Sequence, residues 1–150
     1  MISLPKEVFK SGLAAGNIYL IEKHKLKNTP LPHLFIVAGM NDDEVVLFSC
    51  CTTQFEKRRR FIELNGLPLS TLVYIKPDNV NKLNKPTYVD CNKLHPYTID
   101  ELHKLSNDDN MSLIGYLNNG KIEEIKTGIN DSPNVEGEYK DIINGDGPEE

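Results

Sequence analysis

Between Gly16 and Asn92 short apolar runs alternate with polar connections, and the runs are of the β kind. They are Gly-Asn-Ile-Tyr-Leu-Ile at 16–21, His-Leu-Phe-Ile-Val at 33–37, Val-Val-Leu-Phe-Ser-Cys-Cys-Thr-Thr-Gln at 45–54, Thr-Leu-Val-Tyr-Ile at 71–75 and Thr-Tyr-Val-Asp-Cys at 87–91. Each is rich in β-branched and aromatic residues and is bounded by Pro, Gly, Asn or Asp, which predicts strands. Arg60-Phe61-Ile62-Glu63-Leu64 reads as a further strand, one arm of a hairpin opened by residues 55–59. Asn65-Gly66-Leu67-Pro68 is a turn signal, and Lys76-Pro77-Asp78-Asn79 ends the next strand and starts a short helical turn towards Leu83.

After Leu94 the period changes from two to 3.6. Thr98 and Glu101 form a capping-box pattern, with Ile99, Leu102 and Leu105 recurring on one helical face. Residues 112–117 predict one more strand, broken by Asn118-Asn119-Gly120. A helix then carries Ile122, Ile125 and Ile129 on one stripe, open to core or interface, with Glu123 and Glu124 in its first turn, where the helix dipole favours acids. A turn of helix is also expected around Glu7 to Leu13. The pattern predicts a mainly β, α+β fold: a small antiparallel barrel followed by helices.

Length fits one domain, taken as residues 1–130. From Asp131 to Glu150 seven acids face Lys140 alone. That gives −6, and leaves the other 130 residues at +1 of the chain's −5. This last stretch, with its Ser, Pro, Asn and Gly, is expected to be an acidic disordered tail. The low pI belongs to the tail and does not argue against a polyanionic partner for the body. The body's cations gather between strands, at Lys23-His24-Lys25-Leu26-Lys27 and Lys57-Arg58-Arg59-Arg60, and a small barrel with cationic loops on one rim suits a polyanion.

Cys50, Cys51 and Cys91 make an odd count. Neighbours on a strand face opposite ways, so a Cys50–Cys51 disulfide is not expected. With no zinc spacing either, reduced thiols in a cytoplasmic protein are the expectation. No apolar leader precedes Gly16, and no run approaches the ~20 apolar residues of a membrane span.

The order of a G-x-I-Y-x-[IV] strand, a long polar loop, an apolar strand, a strand ending in Thr-x-Gln, a basic hairpin, a later strand and closing helices resembles the MazF/PemK toxin family. The resemblance spans roughly Ala15 to Ile129 and rests on Gly16-Asn17-Ile18-Tyr19, Cys51-Thr52-Thr53-Gln54 and Ile114-Gly115-Tyr116-Leu117. It implies a CcdB-like, SH3-type barrel and an endoribonuclease that needs no cofactor. It also implies a cognate antitoxin and a homodimer. In that family an Arg near the start of the second strand and a Thr at the end of the third carry cleavage. Thr52 falls on the Thr position. The Arg position is occupied by Leu-Pro-His-Leu-Phe, so His33 is the nearest candidate and the family's Arg is missing.

Metal-independent cleavage of single-stranded RNA needs proton transfer at the 2′-OH and the leaving oxygen, and a cation for the phosphorane charge. His33 suits proton transfer near neutral pH. Thr52 and Gln54 share a strand face and can hydrogen-bond a phosphate, while Lys23, Lys25, Lys57, Arg58, Arg59 and Arg60 supply RNA-binding charge. Plainer readings stand beside these. His33 can be a polar strand-start residue, Thr52 and Thr53 ordinary strand formers, and the basic run a solvated hairpin tip. His24, His95 and His103 show no partner pattern. The leading function is therefore RNA cleavage. A non-catalytic barrel binding RNA or protein comes second, and gyrase poisoning of the CcdB kind comes last because the chain has no Trp.

Overall fold

The computed structural model describes residues 4–26, 31–42 and 44–145. Helix α1 (Lys6–Ser11) leads into β1 (Asn17–Ile21), β2 (His33–Met40) and β3 (Val45–Thr52). Helix α2 (Phe55–Leu64), β4 (Leu72–Ile75) and the long β5 (Thr87–Thr98) follow. The chain then forms α3 (Ile99–Asn107), β6 (Met111–Tyr116), α4 (Asn119–Asp131) and α5 (Gly137–Asn144). The strands make one antiparallel sheet in the order β4-β5-β3-β2-β1-β6. It is the curled half-barrel with helices that the β-type runs imply.

The two sheet edges meet through the chain that follows β4. The Asp78 carboxylate accepts from the Val80 and Asn81 amides at 2.8 and 2.7 Å, making a turn rather than a helix there. The Val80 carbonyl then accepts from the Tyr116 amide on β6 at 3.1 Å. Glycine is required at 115 for this approach, because a Cβ would lie 2.3 Å from the Asn81 carbonyl oxygen.

Both faces of the sheet are covered, which is why β3 reads as a nearly continuous apolar run. One face packs Ile18, Ile36, Leu47, Ile75 and Val89 against Ile125 and Ile129 of α4 and Ile143 of α5. The other packs Phe35, Val37, Phe48 and Tyr97 against Phe9 of α1 and Ile99 and Leu102 of α3. The α4 stripe is thus spent on the core. The Thr98–Glu101 capping box forms as expected, with Thr98 Oγ1 accepting from the Glu101 amide at 3.1 Å.

Three further expectations are corrected. The basic run lies on a helix, α2, and not on a hairpin. Its Glu, Lys, Arg and Leu residues are good helix formers, and Arg59 bridges Glu56 and Glu63 at 2.9 and 2.6 Å, one helical turn to either side. Strand β5 runs on to Thr98 past a bulge. Ser49 pairs with Leu94 and Cys50 with Asp90, so residues 91–93 stand out of the ladder. There Asn92 is buried, donating to Thr71 Oγ1 at 2.9 Å and accepting from Ser132 Oγ at 2.7 Å. Finally, the stretch after Asp131 is ordered to Gly145: Val135 and Ile143 are buried, and Tyr139 and Ile142 pack against the same core. Residues 146–150 of the expected tail, and 27–30 of the basic β1–β2 loop, lie outside the described residues.

Candidate functional site

The candidate residues His33 and Thr52 lie on the α1–α3 face, at the start of β2 and the end of β3. Register decides who meets whom. The β2–β3 ladder ends at the Phe35–Cys50 pair; His33 and Thr52 lie two residues beyond it, on the same faces of their strands as Phe35 and Cys50. Ile21 pairs with His33, Thr52 with Tyr88, and Tyr88 with Tyr74. His33, Thr52, Tyr88 and Tyr74 therefore follow one another across four strands, and cross-strand partners project from the same face. The next row on that face is Phe35, Cys50, Asp90 and Leu72.

Phe35 is the hub for three histidines. The His24 and His95 rings lie 5.7 and 5.9 Å from it, His33 lies 6.5 Å away, and His24 stands 5.4 Å from His33. His24 is held in one state by its neighbours. Its Nε2 faces the Leu31 carbonyl at 2.6 Å and so donates, while Nδ1 accepts from the Leu26 amide at 3.2 Å. The Nδ1 of His33 reaches the same carbonyl only at 3.4 Å, and the ring is half-buried. Thr52 Oγ1 accepts from the Gln54 amide at 3.0 Å, so its O–H is free to donate. The Gln54 side chain is exposed at the start of α2 and makes no capping bond.

Helix α2 divides the basic run. Arg58 turns inward to Asp90 at 3.4 Å and lies 5.3 Å from the Phe61 ring. Arg59 is bound by its two glutamates. Lys57 and Arg60 are exposed and have no ionic partner among the described residues. Lys25 pairs with Glu101 at 2.6 Å over the Tyr97 ring, whereas Lys23 is exposed. Of the six basic residues picked from the sequence, Arg58 alone meets the His33–Thr52 face.

Burial sets the titrations. The Cys50 thiol is pushed up to about 11 by burial and then by the Asp90 charge, with Arg58 opposing. It is a thiol at neutral pH and not a nucleophile. Burial also raises Cys51 and Cys91, and all three cysteines are free. Burial, followed by the nearby Lys93 charge, lowers His95 below its ordinary 6.5 against the pull of Asp90. Below about pH 6.5 the unfolded chain then binds more protons than the folded one. The stability His95 contributes is therefore complete above that pH and declines as pH falls towards the folded value. Thermal melts from about pH 7 to about pH 5 should show a shallower loss of Tm for His95→Asn than for the wild type. Equal slopes would mean that the pocket does not disfavour its charge. Among the described residues no group of three or more His, Cys, Asp or Glu is placed to hold a metal ion, and no helix is long and apolar enough to cross a membrane.

His24 and His95, beside Phe35, and Asp90, paired with Arg58, are neighbours of this face that sequence reasoning did not pick out. The β5 bulge and the β1–β2 pairing bring them in, and neither leaves a local signal. No protein-family model matches the chain, and no curated protein matches it. Among solved structures, the Mycobacterium tuberculosis toxin MazF-mt6 aligns with 80% of this chain and 98% of its own length, at 16% identity and a TM-score of 0.49.

Proposed function

We propose that this chain is an endoribonuclease toxin that cuts single-stranded RNA without a metal, working as a homodimer in the cytoplasm with a cognate antitoxin. The observation that carries the catalytic part is that His33 and Thr52 share a sheet face just beyond the Phe35–Cys50 pair, with Arg58 held at Asp90, the β5 partner of Cys50. Dimer and antitoxin rest on the MazF/PemK resemblance. His33 Nε2 takes the 2′-OH proton as that oxygen bonds to phosphorus. The phosphorus–O5′ bond breaks, and the departing oxygen is protonated from solvent at the exposed Gln54 end. Thr52 O–H and the Gln54 side-chain amide hydrogen-bond the phosphate oxygens, and Arg58 moves from Asp90 to the developing negative charge.

Incubating the purified protein with single-stranded RNA in excess chelator is the test. Products ending in a 2′,3′-cyclic phosphate and a 5′-OH are expected. Intact RNA, or ends bearing a 5′-phosphate, would overturn the reading. The Asp90–Arg58 pair favours a second reading, since it ties up the cation that cleavage needs: a barrel that holds RNA, or a protein, without cutting.

A further inference from the structure

The row that holds His33 and Thr52 does not stop at the catalytic pair. It continues through Tyr88 on β5 to Tyr74 on β4, the edge of the sheet. Phe55, the first residue of α2, brings its ring within 4.6 Å of Tyr88 at an interplanar angle of 33°, and Tyr74 lies 5.2 Å from Tyr88 at 41°. None of the three belongs to either hydrophobic cluster that holds the fold together. Tyr74 is 41% exposed, an unusual disposition for an aromatic ring at the end of a row of aromatic rings. Two strand spacings, roughly 10 Å, separate Thr52 from Tyr74, a distance that neighbouring nucleotides of an extended strand can span.

The surroundings suit a polyanion. Lys76 and Lys85 are exposed just beyond the Ile75–Thr87 pair that ends this part of the ladder, while Lys57 and Arg60 are exposed on α2. The acids on α2, Glu56 and Glu63, both pair with Arg59, whose guanidinium lies 5.8 Å from the Phe55 ring. Aromatic faces set within a cationic rim are how proteins hold unpaired bases without reading their edges.

We propose that Phe55, Tyr88 and Tyr74 form a stacking platform for unpaired RNA bases next to the cleaved phosphate. The platform selects single-stranded over double-stranded RNA and tolerates any base. This rests on the reading of the His33–Thr52 face as an RNA site. Because every base has a stacking face but a paired base is already stacked, the platform engages unstructured RNA and leaves sequence choice to other contacts.

Binding to a 2′-O-methylated single-stranded oligonucleotide, which cannot be cut, tests it in the full chain. With no Trp present, tyrosine emission reports occupancy directly. Wild type should bind with quenching of that emission, and an equal-length duplex should bind more weakly. Tyr74→Ala should weaken single-strand binding about 5- to 150-fold, the equivalent of 1–3 kcal/mol per stacked base, whereas Tyr74→Phe should bind like wild type. Tyr74 is an exposed edge residue, so its loss need not disturb folding, and circular dichroism checks that it does not. If wild type cuts RNA but Tyr74→Ala binds the oligonucleotide equally well, the platform is wrong and the nuclease reading stands. If wild type neither binds nor cuts, both fall. If Tyr74→Ala changes only the mass in solution, this face is a contact between copies of the chain, and the platform is again wrong.

Discussion

His33→Ala is expected to cut single-stranded RNA about 10²- to 10⁴-fold more slowly than wild type, the range set by loss of a positioned proton-transfer group. The argument is positional. His33 is half-buried at the first position of β2, and Thr52 is the last residue of β3, the neighbouring antiparallel strand. Its ring packs between His24 and Phe35. It can lose its imidazole without opening the core, because the buried side chains beneath it, Ile21 and Phe35, remain. Thr52→Ala should lose less, since it removes one hydrogen bond to a phosphate oxygen and leaves the Gln54 amide to take its place. Arg58→Ala removes the phosphate cation but also frees Asp90, an unpaired negative charge facing the RNA. It should therefore cost more than Arg60→Ala, whose side chain points to solvent. Rates from single-turnover cleavage of a labelled RNA, with folding checked by circular dichroism, decide the matter. A His33→Ala enzyme within about threefold of wild type would remove His33 from the chemistry.

The strands were legible because β-branched and aromatic runs bounded by turn residues carry their own signal. The third helix was legible because Thr98 and Glu101 are three apart at its start. Helix α2 was hidden by its aromatic residues, Phe55 and Phe61, which suit a strand as well as a helix. The spacing of Glu56, Arg59 and Glu63, three and four residues apart, was the contrary evidence. The split fate of the basic run follows from that error, since a helix sends successive residues to different sides while a hairpin tip exposes them all. The places of His33 and Thr52, at the first residue of β2 and the last of β3, were readable from strand ends. His95 was not, because its place beside Phe35 depends on the three residues that bulge from β5, and a bulge written as Cys91-Asn92-Lys93 looks like any other stretch of strand.

A chain ending at Asp131 is expected to lose much of its stability, although it discards mainly acidic sequence. Composition speaks for disorder after Asp131, but spacing speaks against it. Val135, Tyr139, Ile142 and Ile143 recur at i, i+4, i+7 and i+8, and all four meet the core shared with Ile36, Leu47 and Ile129. Val135 and Ile143 are 8% and 5% exposed, and burying two such side chains contributes about 1.5–3 kcal/mol each. Set against a total of about 5–15 kcal/mol for a domain, their loss is severe. Truncation would also remove Ser132, whose hydroxyl satisfies the buried Asn92. Ile143→Ala isolates the packing part. The Ile143 side chain lies against Gly39 of β2, with Cδ1 2.8 Å from where a glycine Cβ would stand. The sheet there is already bare backbone and cannot fill the space left behind. A cost of about 2–5 kcal/mol follows for such a cavity, or a fall in Tm of about 4–20 °C at this chain length. Melting curves for the two variants settle it. If both keep the wild-type midpoint, α5 rests on the sheet without holding it, and the acidic charge of this stretch outweighs its helical spacing.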